Sequence, residues 1–320
     1  MLCLCHSRGE MIPARDERLV IFGCGYVGSA IARQAIARGL RVTALTRNPA
    51  TAESLQAGGV EPVVADLAGS AWHPQIAGGA RYVLNAVSAG GGGIDGYRHS
   101  YVDGMRSILA WARARGGIGT LVYTSSTSVY PQGDGVVVDE SASSEGVGER
   151  GELLLESERL LSPDTGGTPT PPGPVVPPRE YMRCFVLRLA GIYGPGRHQL
   201  LDQVRTGIVA GRGGHRLNLI HLEDICAAIW SAFDAPPEIG SDVFNVADDR
   251  PATKSDVAGW LAQRLGVGAP TFTGLPAGTR RSVTPDRVIS NAKIKRVLGW
   301  QPRFPDYRAG YENILSQRRE

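Results

Sequence analysis

The chain has 320 residues, of which 42% are hydrophobic and 20% charged, and its formal net charge is +3 at pH 7. This composition is typical of a globular protein with one or two domains, and so small a charge gives no reason to expect a nucleic acid or a membrane surface as partner. No stretch is long and apolar enough to span a membrane, and the first residues lack the features of a secretory signal, so we expect a cytoplasmic protein.

Strands and helices alternate along the chain. Short apolar runs predict strands at residues 19–22, 41–45, 63–64, 82–85, 120–124, 184–189 and 243–246. Apolar residues at helical spacing predict helices at residues 29–38, 105–114, 149–161, 200–210, 222–233 and 254–265, and a short one ended by Gly299. This alternation predicts an α/β fold with a doubly wound parallel sheet, the Rossmann fold, which binds ligands at the carboxyl ends of its strands.

The same pattern suggests a division into regions. Residues 17–190 form the predicted Rossmann domain, and residues 191–320 form a smaller α/β lobe for the substrate, with 222–250 returning to the sheet. Residues 1–16 are expected to be a flexible leader. Residues 162–180 are rich in proline and glycine, which predicts a surface loop; the alternative is a docking segment for a proline-reading partner.

The five cysteines form no C-x-x-C pair. Three of them lie in apolar runs, at Cys24, Cys184 and Cys226. This placement indicates small buried side chains in a reducing compartment. Cys3, Cys5 and His6 supply too few ligands for a closed metal site, so no metal is predicted.

A glycine-rich turn follows the first predicted strand. Gly23, Gly25 and Gly28 have the spacing G-x-G-x-x-G, between a strand and a helix. In that context the first glycine allows the tight turn, the second leaves room for a pyrophosphate, and the third lets the helix pack on the sheet. With Tyr26 and Val27, whose backbone opens the helix, these residues form the predicted dinucleotide loop.

The ends of the next three strands complete the predicted cofactor site. Arg47 follows the second strand, where an NAD site usually offers a carboxylate, and its charge favours the 2′-phosphate of NADP over NAD. Asp66, with Leu67, follows the third strand and would accept a hydrogen bond from the adenine amine; the alternative is a helix cap. Ala86 and Val87 follow the fourth strand and are predicted to contact the cofactor.

Five motifs in this order resemble the short-chain dehydrogenase/reductase superfamily in its extended, nucleotide-sugar-epimerase-like form. They are GCGYVG at 23–28, VADL at 64–67, YTSSTSVYP at 123–131, LRLAGIYGPGR at 187–197 and NLIHLEDI at 218–225. The resemblance covers roughly residues 18 to 310, and it is greatest to an atypical subgroup labelled NAD-dependent epimerase/dehydratase. It implies hydride transfer to or from a nicotinamide cofactor, with a serine and a Tyr-x-x-x-Lys pair at the substrate oxygen.

The chain departs from this pattern at the catalytic pair. Ser126 matches the serine, but Arg150 stands at the tyrosine position and Leu154 at the lysine position. No lysine precedes Lys254, so the Rossmann domain contains no Tyr-x-x-x-Lys. Arg150 could supply the lost positive charge, although an arginine is a poor proton shuttle. Tyr130 is a further catalytic candidate, with simple packing as the alternative.

The remaining candidate residues surround this position. Ser125 and Gly191 are predicted cofactor contacts, and Tyr193, Arg216 and His221 are predicted substrate contacts. Tyr193 would act as a lid and Arg216 would bind an anionic group; the alternatives are a surface arginine at Arg216 and a loop cap at His221.

Two functions remain open from the sequence. The first is an NADP-binding oxidoreductase or epimerase-like enzyme that acts on a carbonyl or hydroxyl of a small substrate, which could resemble a nucleotide sugar. The second is a non-catalytic NADP-binding sensor or assembly factor, which the missing catalytic pair would explain. A small-molecule substrate is the expected partner, and a homodimer is left open.

Overall fold

The computed structural model describes residues 16–89, 91–161, 182–274 and 285–317. Its strands are β1 Asp16–Phe22, β2 Arg41–Thr46, β3 Glu61–Val64, β4 Ala80–Asn85, β5 Thr120–Ser126, β6 Val137–Val138, β7 Arg183–Leu189, β8 Gly191–Tyr193, β9 Ile208–Val209, β10 Arg216–Leu217, β11 Leu219–His221, β12 Asp242–Val246, β13 Ala252–Thr253, β14 Thr271–Phe272 and β15 Val288–Ile289. The predicted leader, with Cys3, Cys5 and His6, and the predicted loop 162–180 lie outside the described residues.

Helices connect most of these strands. They are α1 Tyr26–Ala37, α2 Pro49–Ala57, α3 Gly93–Tyr97, α4 Gly104–Ala114, α5 Glu149–Arg159, α6 Gln199–Arg205, α7 Leu222–Phe233, α8 Lys254–Leu265, α9 Ala292–Leu298 and α10 Tyr307–Ser316. A π-helical segment, Arg98–Asp103, joins α3 to α4, and a 3₁₀ turn, Thr127–Val129, follows β5. In the described part of the chain, no helix has the length and apolar character that crossing a membrane requires.

Seven strands form one parallel sheet in the order β12-β7-β5-β4-β1-β2-β3. The chain runs from β1 outward to β3 and then returns to β4 on the other side of β1, so the strand order reverses between β1 and β4. Helices lie on both faces of the sheet, and this arrangement confirms the predicted doubly wound Rossmann fold. At such a reversal the connecting loops diverge, which opens a crevice at the carboxyl ends of the two strands.

The alternation of side chains along β1 explains why helices cover both faces. Leu19 and Ile21 belong to one buried cluster, with apolar side chains of α1 and α7, whereas Val20 and Phe22 belong to another, with those of α4. All four side chains are fully buried. A strand buried on both faces reads as a continuous apolar run, which is the signal that predicted this sheet.

A third apolar cluster lies outside the sheet and includes side chains from α6, α8 and α10. Short strand pairs accompany it: β10 with β13, β11 with β8, and β14 with β9. The predicted helix at 200–210 was wrong in its extent: α6 ends at Arg205, because Gly207 takes a φ of +75° and the chain then extends as β9. The sequence prediction also missed α2, α3 and α10.

Candidate active site

The glycine turn between β1 and α1 is built by close backbone approach. Gly23 has a φ of +88°, and a Cβ there would lie 2.5 Å from the Val87 nitrogen, while a Cβ at Gly28 would collide with the carbonyl of Gly23. Around Gly25, by contrast, nothing would lie within 4 Å of a Cβ. The turn is therefore pressed against the loop after β4 on one side and open above Gly25.

The amino terminus of α1 faces this open space. The helix begins at Tyr26 with Gly25 as its N-cap, no side chain caps it, and its first turn contains no acidic residue. The first backbone N–H groups of a helix have no partner within the helix, and they carry its positive dipole end. An anion such as a pyrophosphate fits a terminus of this kind, so the residues present suit a dinucleotide.

The ends of β2 and β3 place one cation and one carboxylate at the same edge. Arg47 is exposed. His99 donates from Nε2 to Asp66 at 2.7 Å, and the Ala68 N–H donates to the other oxygen at 3.1 Å. Burial opposes ionisation of Asp66, but these hydrogen bonds and the charge of Arg47 lower its pKa. Both Asp66 oxygens are thus engaged, but no described helix begins here, so Asp66 caps a turn and the helix-cap alternative was wrong.

Two further predicted cofactor contacts are Leu67 and Ala86, and Leu67 is a core residue. Its side chain is buried, its carbonyl accepts the Trp72 indole N–H at 3.0 Å, and a Cβ at Gly104 would lie 3.0 Å from it. Ala86 is held by its own N–H, which donates to the carbonyl of Phe22 at 2.8 Å. The Leu67 side chain is thus unavailable to a ligand, whereas the Arg47 side chain is exposed at the same edge.

Ser126 ends β5 at the same edge of the sheet. Its hydroxyl accepts the Ser128 N–H at 3.1 Å, which caps the 3₁₀ turn, and its side chain is partly exposed. Ser125 points the other way and donates to Glu158 Oε1 at 2.5 Å, with 6% of its surface exposed. This corrects the prediction for Ser125, whose side chain is turned away from any cofactor by the alternation of the strand.

A buried polar network lies beneath this position. Arg188 forms an ion pair with Glu158 at 2.6 Å and donates to the Tyr130 hydroxyl at 2.7 Å; that hydroxyl in turn donates to Asn245 Oδ1 at 2.8 Å. Tyr130 is 1% exposed, and burial raises its pKa even though Arg188 opposes the shift. Tyr130 cannot reach a substrate, so its assignment as a catalytic residue is wrong, and packing is the better interpretation.

The helix α5 carries the two positions at which the tyrosine–lysine pair is missing. Leu154 is buried in the core of the sheet. Arg150 is exposed in the first turn, where a Cβ at the adjacent Gly151 would lie 3.2 Å from the carbonyl of Ser128. The Arg150 guanidinium lies 5.1 Å from the centre of the Tyr97 ring. A positive charge therefore lies one turn before Leu154, and it faces an aromatic ring.

Two tyrosines that the sequence analysis missed lie beside Arg150. Tyr97 and Tyr101 are one turn apart, with ring centres 5.2 Å from each other, and both are partly exposed. The Tyr101 hydroxyl accepts the Ala89 N–H at 3.4 Å, in the loop that follows β4. Burial raises the pKa of Tyr101, and the hydrogen bond from Ala89 opposes the rise. The spacing Tyr-x-x-x-Tyr just before a predicted helix was the available signal.

Two of the three predicted substrate contacts lie in the core. Tyr193 is 3% exposed and His221 is fully buried, with their ring centres 5.3 Å apart and Phe304 4.2 Å from the histidine ring. The His221 Nδ1 accepts the Glu223 N–H at 3.3 Å, and burial lowers its pKa to about 4. The roles of Tyr193 as a lid and His221 as a substrate contact are therefore wrong, and the cap alternative for His221 holds.

The last two predicted residues have partners within the fold. Arg216 forms an ion pair with Asp286 at 2.9 Å, and its N–H donates to the same carboxylate at 2.8 Å. Gly191 opens β8 so close to its neighbour that a Cβ would lie 2.9 Å from the carbonyl of Asn218. Gly191 thus has a structural reason to be glycine, and an anionic ligand would compete with Asp286 for Arg216.

Comparison with known proteins agrees with this geometry. Residues 19–150 match the model of the NAD dependent epimerase/dehydratase family. Protein YeeZ of Escherichia coli strain K12 is 26% identical over 302 residues, which are 91% of this chain and 97% of YeeZ. The 2-alkyl-3-oxoalkanoate reductase of Stenotrophomonas maltophilia is 29% identical over 235 residues, covering 68% of this chain and 65% of the reductase.

A solved structure shares the fold over nearly the whole chain. The structure of MoeE5 in complex with UDP-glucose and NAD superposes with a TM-score of 0.75 at 20% identity, covering 94% of this chain and 98% of MoeE5.

Proposed function

We propose, from the premise that this chain is an atypical member of the extended short-chain dehydrogenase/reductase superfamily, that it is an NADP-binding oxidoreductase. Its substrate would be a small molecule with a carbonyl or hydroxyl group. The observation that carries the proposal is the uncapped amino terminus of α1 beneath the open space at Gly25. That feature survives although the tyrosine–lysine pair does not.

The preference for NADP rests on Arg47. A guanidinium pairs strongly with a phosphate, whereas an NAD site usually presents a carboxylate to the ribose at this position. Asp66, the carboxylate whose pKa the charge of Arg47 helps to lower, has both oxygens engaged, by His99 and by the Ala68 N–H. We therefore assign the 2′-phosphate to Arg47.

The chemistry would take place at Ser126. A bound nicotinamide supplies or accepts a hydride, and the protein must hold the substrate oxygen and move its proton. The partly exposed Ser126 hydroxyl is placed to hydrogen-bond that oxygen. Tyr101 is our candidate for the proton donor, because its hydroxyl contacts the loop after β4 through Ala89, and because burial raises its pKa and so keeps the phenol protonated at neutral pH. The positive charge of Arg150, which faces the Tyr97 ring, would stabilise negative charge that develops on the substrate oxygen.

Two similar proteins suggest two classes of substrate. One acts, by its name, on a 2-alkyl-3-oxoalkanoate, and MoeE5 was solved with UDP-glucose. The pairing of Arg216 with Asp286 removes one cation that could have bound a sugar nucleotide phosphate. We therefore favour carbonyl reduction of an oxo compound over conversion of a nucleotide sugar.

The second candidate is a non-catalytic sensor of NADP. The observation in its favour is that Leu154 fills the lysine position with a core side chain. The two candidates share the binding site and differ only in turnover, which a panel of an oxoalkanoate and UDP-glucose with NADPH would measure through the nicotinamide absorbance.

The first experiment is a titration of the purified protein with NADPH and NADH, read by nicotinamide fluorescence and by melting temperature. We expect NADPH to bind about tenfold more tightly or better, and Arg47→Glu to weaken NADPH about 10- to 100-fold while leaving NADH within about threefold. The control is Arg113→Glu, an exposed charge reversal at the far end of α4. Equal losses for both dinucleotides would exclude the assignment of Arg47, and no binding of either would overturn the proposed function.

A further inference from the structure

The loop between β8 and α6, residues 194–197, reaches from the C-terminal lobe to the glycine turn. Gly194 and Arg197 exchange two backbone hydrogen bonds, of 3.1 and 3.0 Å, so the loop closes on itself. The Tyr26 hydroxyl donates to the carbonyl of Pro195 at 2.9 Å. Because Tyr26 is the first residue of α1, this hydrogen bond joins the lobe to the helix terminus that would hold the dinucleotide.

The loop packs closely against the side chains of Tyr26 and Leu222. A Cβ at Gly194 would lie 2.7 Å from the Tyr26 hydroxyl and 3.1 Å from the Leu222 Cβ, and the φ of Gly194 is +154°. Only glycine allows the loop to pack this closely with that backbone conformation. The position of Arg197 relative to α1 is therefore set by the fold.

The Arg197 side chain brings a second positive charge to this terminus. Its guanidinium carbon lies 5.6 Å from the centre of the Tyr26 ring, and the side chain is exposed. Burial raises the pKa of Tyr26 to about 12 although the charge of Arg197 opposes the shift. Within the described residues, no carboxylate is within ion-pair distance of Arg197.

An anion bound between an arginine and the positive end of a helix is stabilised by both. We propose that Arg197 binds the dinucleotide pyrophosphate from the side opposite to the N–H groups of α1, as a cofactor ligand contributed by the C-terminal lobe. This inference rests on the proposed function and deepens it. The pyrophosphate would then connect the two parts of the chain, whereas the 2′-phosphate would contact the Rossmann unit alone through Arg47.

The proposal predicts a pattern of affinities that differs from that of Arg47. Since NADPH, NADH and ADP-ribose share the pyrophosphate, Arg197→Gln should weaken all three by a similar factor of about tenfold or more. Arg197→Lys keeps a charge without the planar fork and should recover part of the loss. Arg113→Gln, which removes an exposed charge at the opposite edge of the sheet, should change none of the three.

Calorimetric titration of the whole protein with each ligand, at low and at moderate salt, measures this pattern. We expect the salt dependence of ADP-ribose binding to be smaller in Arg197→Gln than in the wild type, because one ionic contact is lost. The inference is refuted if the wild type binds ADP-ribose and Arg197→Gln binds it within twofold. If the wild type binds no dinucleotide, the proposed function fails first and the inference fails with it.

Discussion

Asp248 offers a test of how burial controls the energetics of this fold. Its side chain is 3% exposed, and Oδ1 has no hydrogen-bond partner within the described residues. Burial, together with the carboxylates of Asp249, Asp306 and Asp224, raises the pKa of Asp248 to about 8, and the hydrogen bond from the Arg250 N–H opposes the rise. The folded protein therefore holds a neutral carboxylic acid at neutral pH.

The sign of the pH dependence follows directly. An unfolded chain loses this proton near a pKa of about 3.9, whereas the folded chain keeps it up to about 8, so folding takes up a proton between these values and stability falls as pH rises. At pH 7 the gap is about 3 pH units, which at about 1.4 kcal/mol each gives a penalty of at most about 4 kcal/mol. Asp248→Asn keeps the shape and cannot ionise, so it should remove that penalty.

Urea unfolding followed by circular dichroism, at about pH 5 and about pH 8, measures the effect. The free energy of unfolding of Asp248→Asn relative to the wild type should rise by about 3–4 kcal/mol between the two pH values. In Glu312→Gln, which removes a surface carboxylate paired with Arg264 at 2.6 Å and not among the charges that act on Asp248, the difference from the wild type should stay the same at both. A constant difference for Asp248→Asn as well would show that the folded protein holds this carboxylate ionised, and the reasoning from burial would be wrong.

Two further predictions concern packing and chemistry. Gly310→Ala would place a Cβ 2.6 Å from the Tyr193 ring carbon Cζ and should lower the free energy of unfolding by about 1–3 kcal/mol, whereas Gly259→Ala, with no atom within 4 Å in α8, should raise it by up to about 1 kcal/mol; a loss of stability in both would contradict the packing argument. Ser126→Ala and Tyr101→Phe should each keep NADPH binding and lower any measured turnover by about 100-fold, and full activity in either variant would remove that residue from the mechanism.

The sheet could be predicted because its strands carry their own signal. Runs such as Leu19–Phe22 are apolar at every position, which only a strand buried on both faces requires. The terminus of α6 was missed because apolar residues continue at helical spacing past Gly207, while the φ of that glycine ends the helix. The local sequence pattern thus predicts which segments form strands more accurately than it predicts the residue at which a helix ends.

The site was harder to predict than the sheet, because its contacts join distant parts of the chain. Ser125 and Ser126 look alike in the sequence, and only the pairing of β5 with β7 shows that Ser125 faces Glu158 and Arg188. Tyr130 looked reactive from its place near Ser126, but its hydroxyl is engaged 115 positions away. No spacing rule within a single segment contains this information.

Cations illustrate the same point and bear on function. The chain has 34 lysines and arginines, which the sequence presents as equivalent charges. The structure separates them by partner: Arg188 is paired with Glu158 and Arg216 with Asp286, while Arg47 and Arg197 reach no carboxylate within ion-pair distance in the described residues. A ligand that binds a paired arginine must displace the carboxylate partner of that arginine. A ligand that binds an unpaired arginine breaks no existing ion pair.

The positions of the paired and unpaired arginines bear on which ligand the site could bind. Of these four arginines, the two without a carboxylate lie near the predicted phosphates of the dinucleotide, and the two paired with carboxylates lie beneath Ser126 or in the C-terminal part of the chain. If the assignments of Arg47 and Arg197 hold, this chain has cations for two phosphate positions of a dinucleotide although it lacks a Tyr-x-x-x-Lys pair in its first 253 residues. Measuring dinucleotide affinity before searching for a substrate is therefore the order that the structure supports, because turnover depends on binding and binding does not depend on turnover.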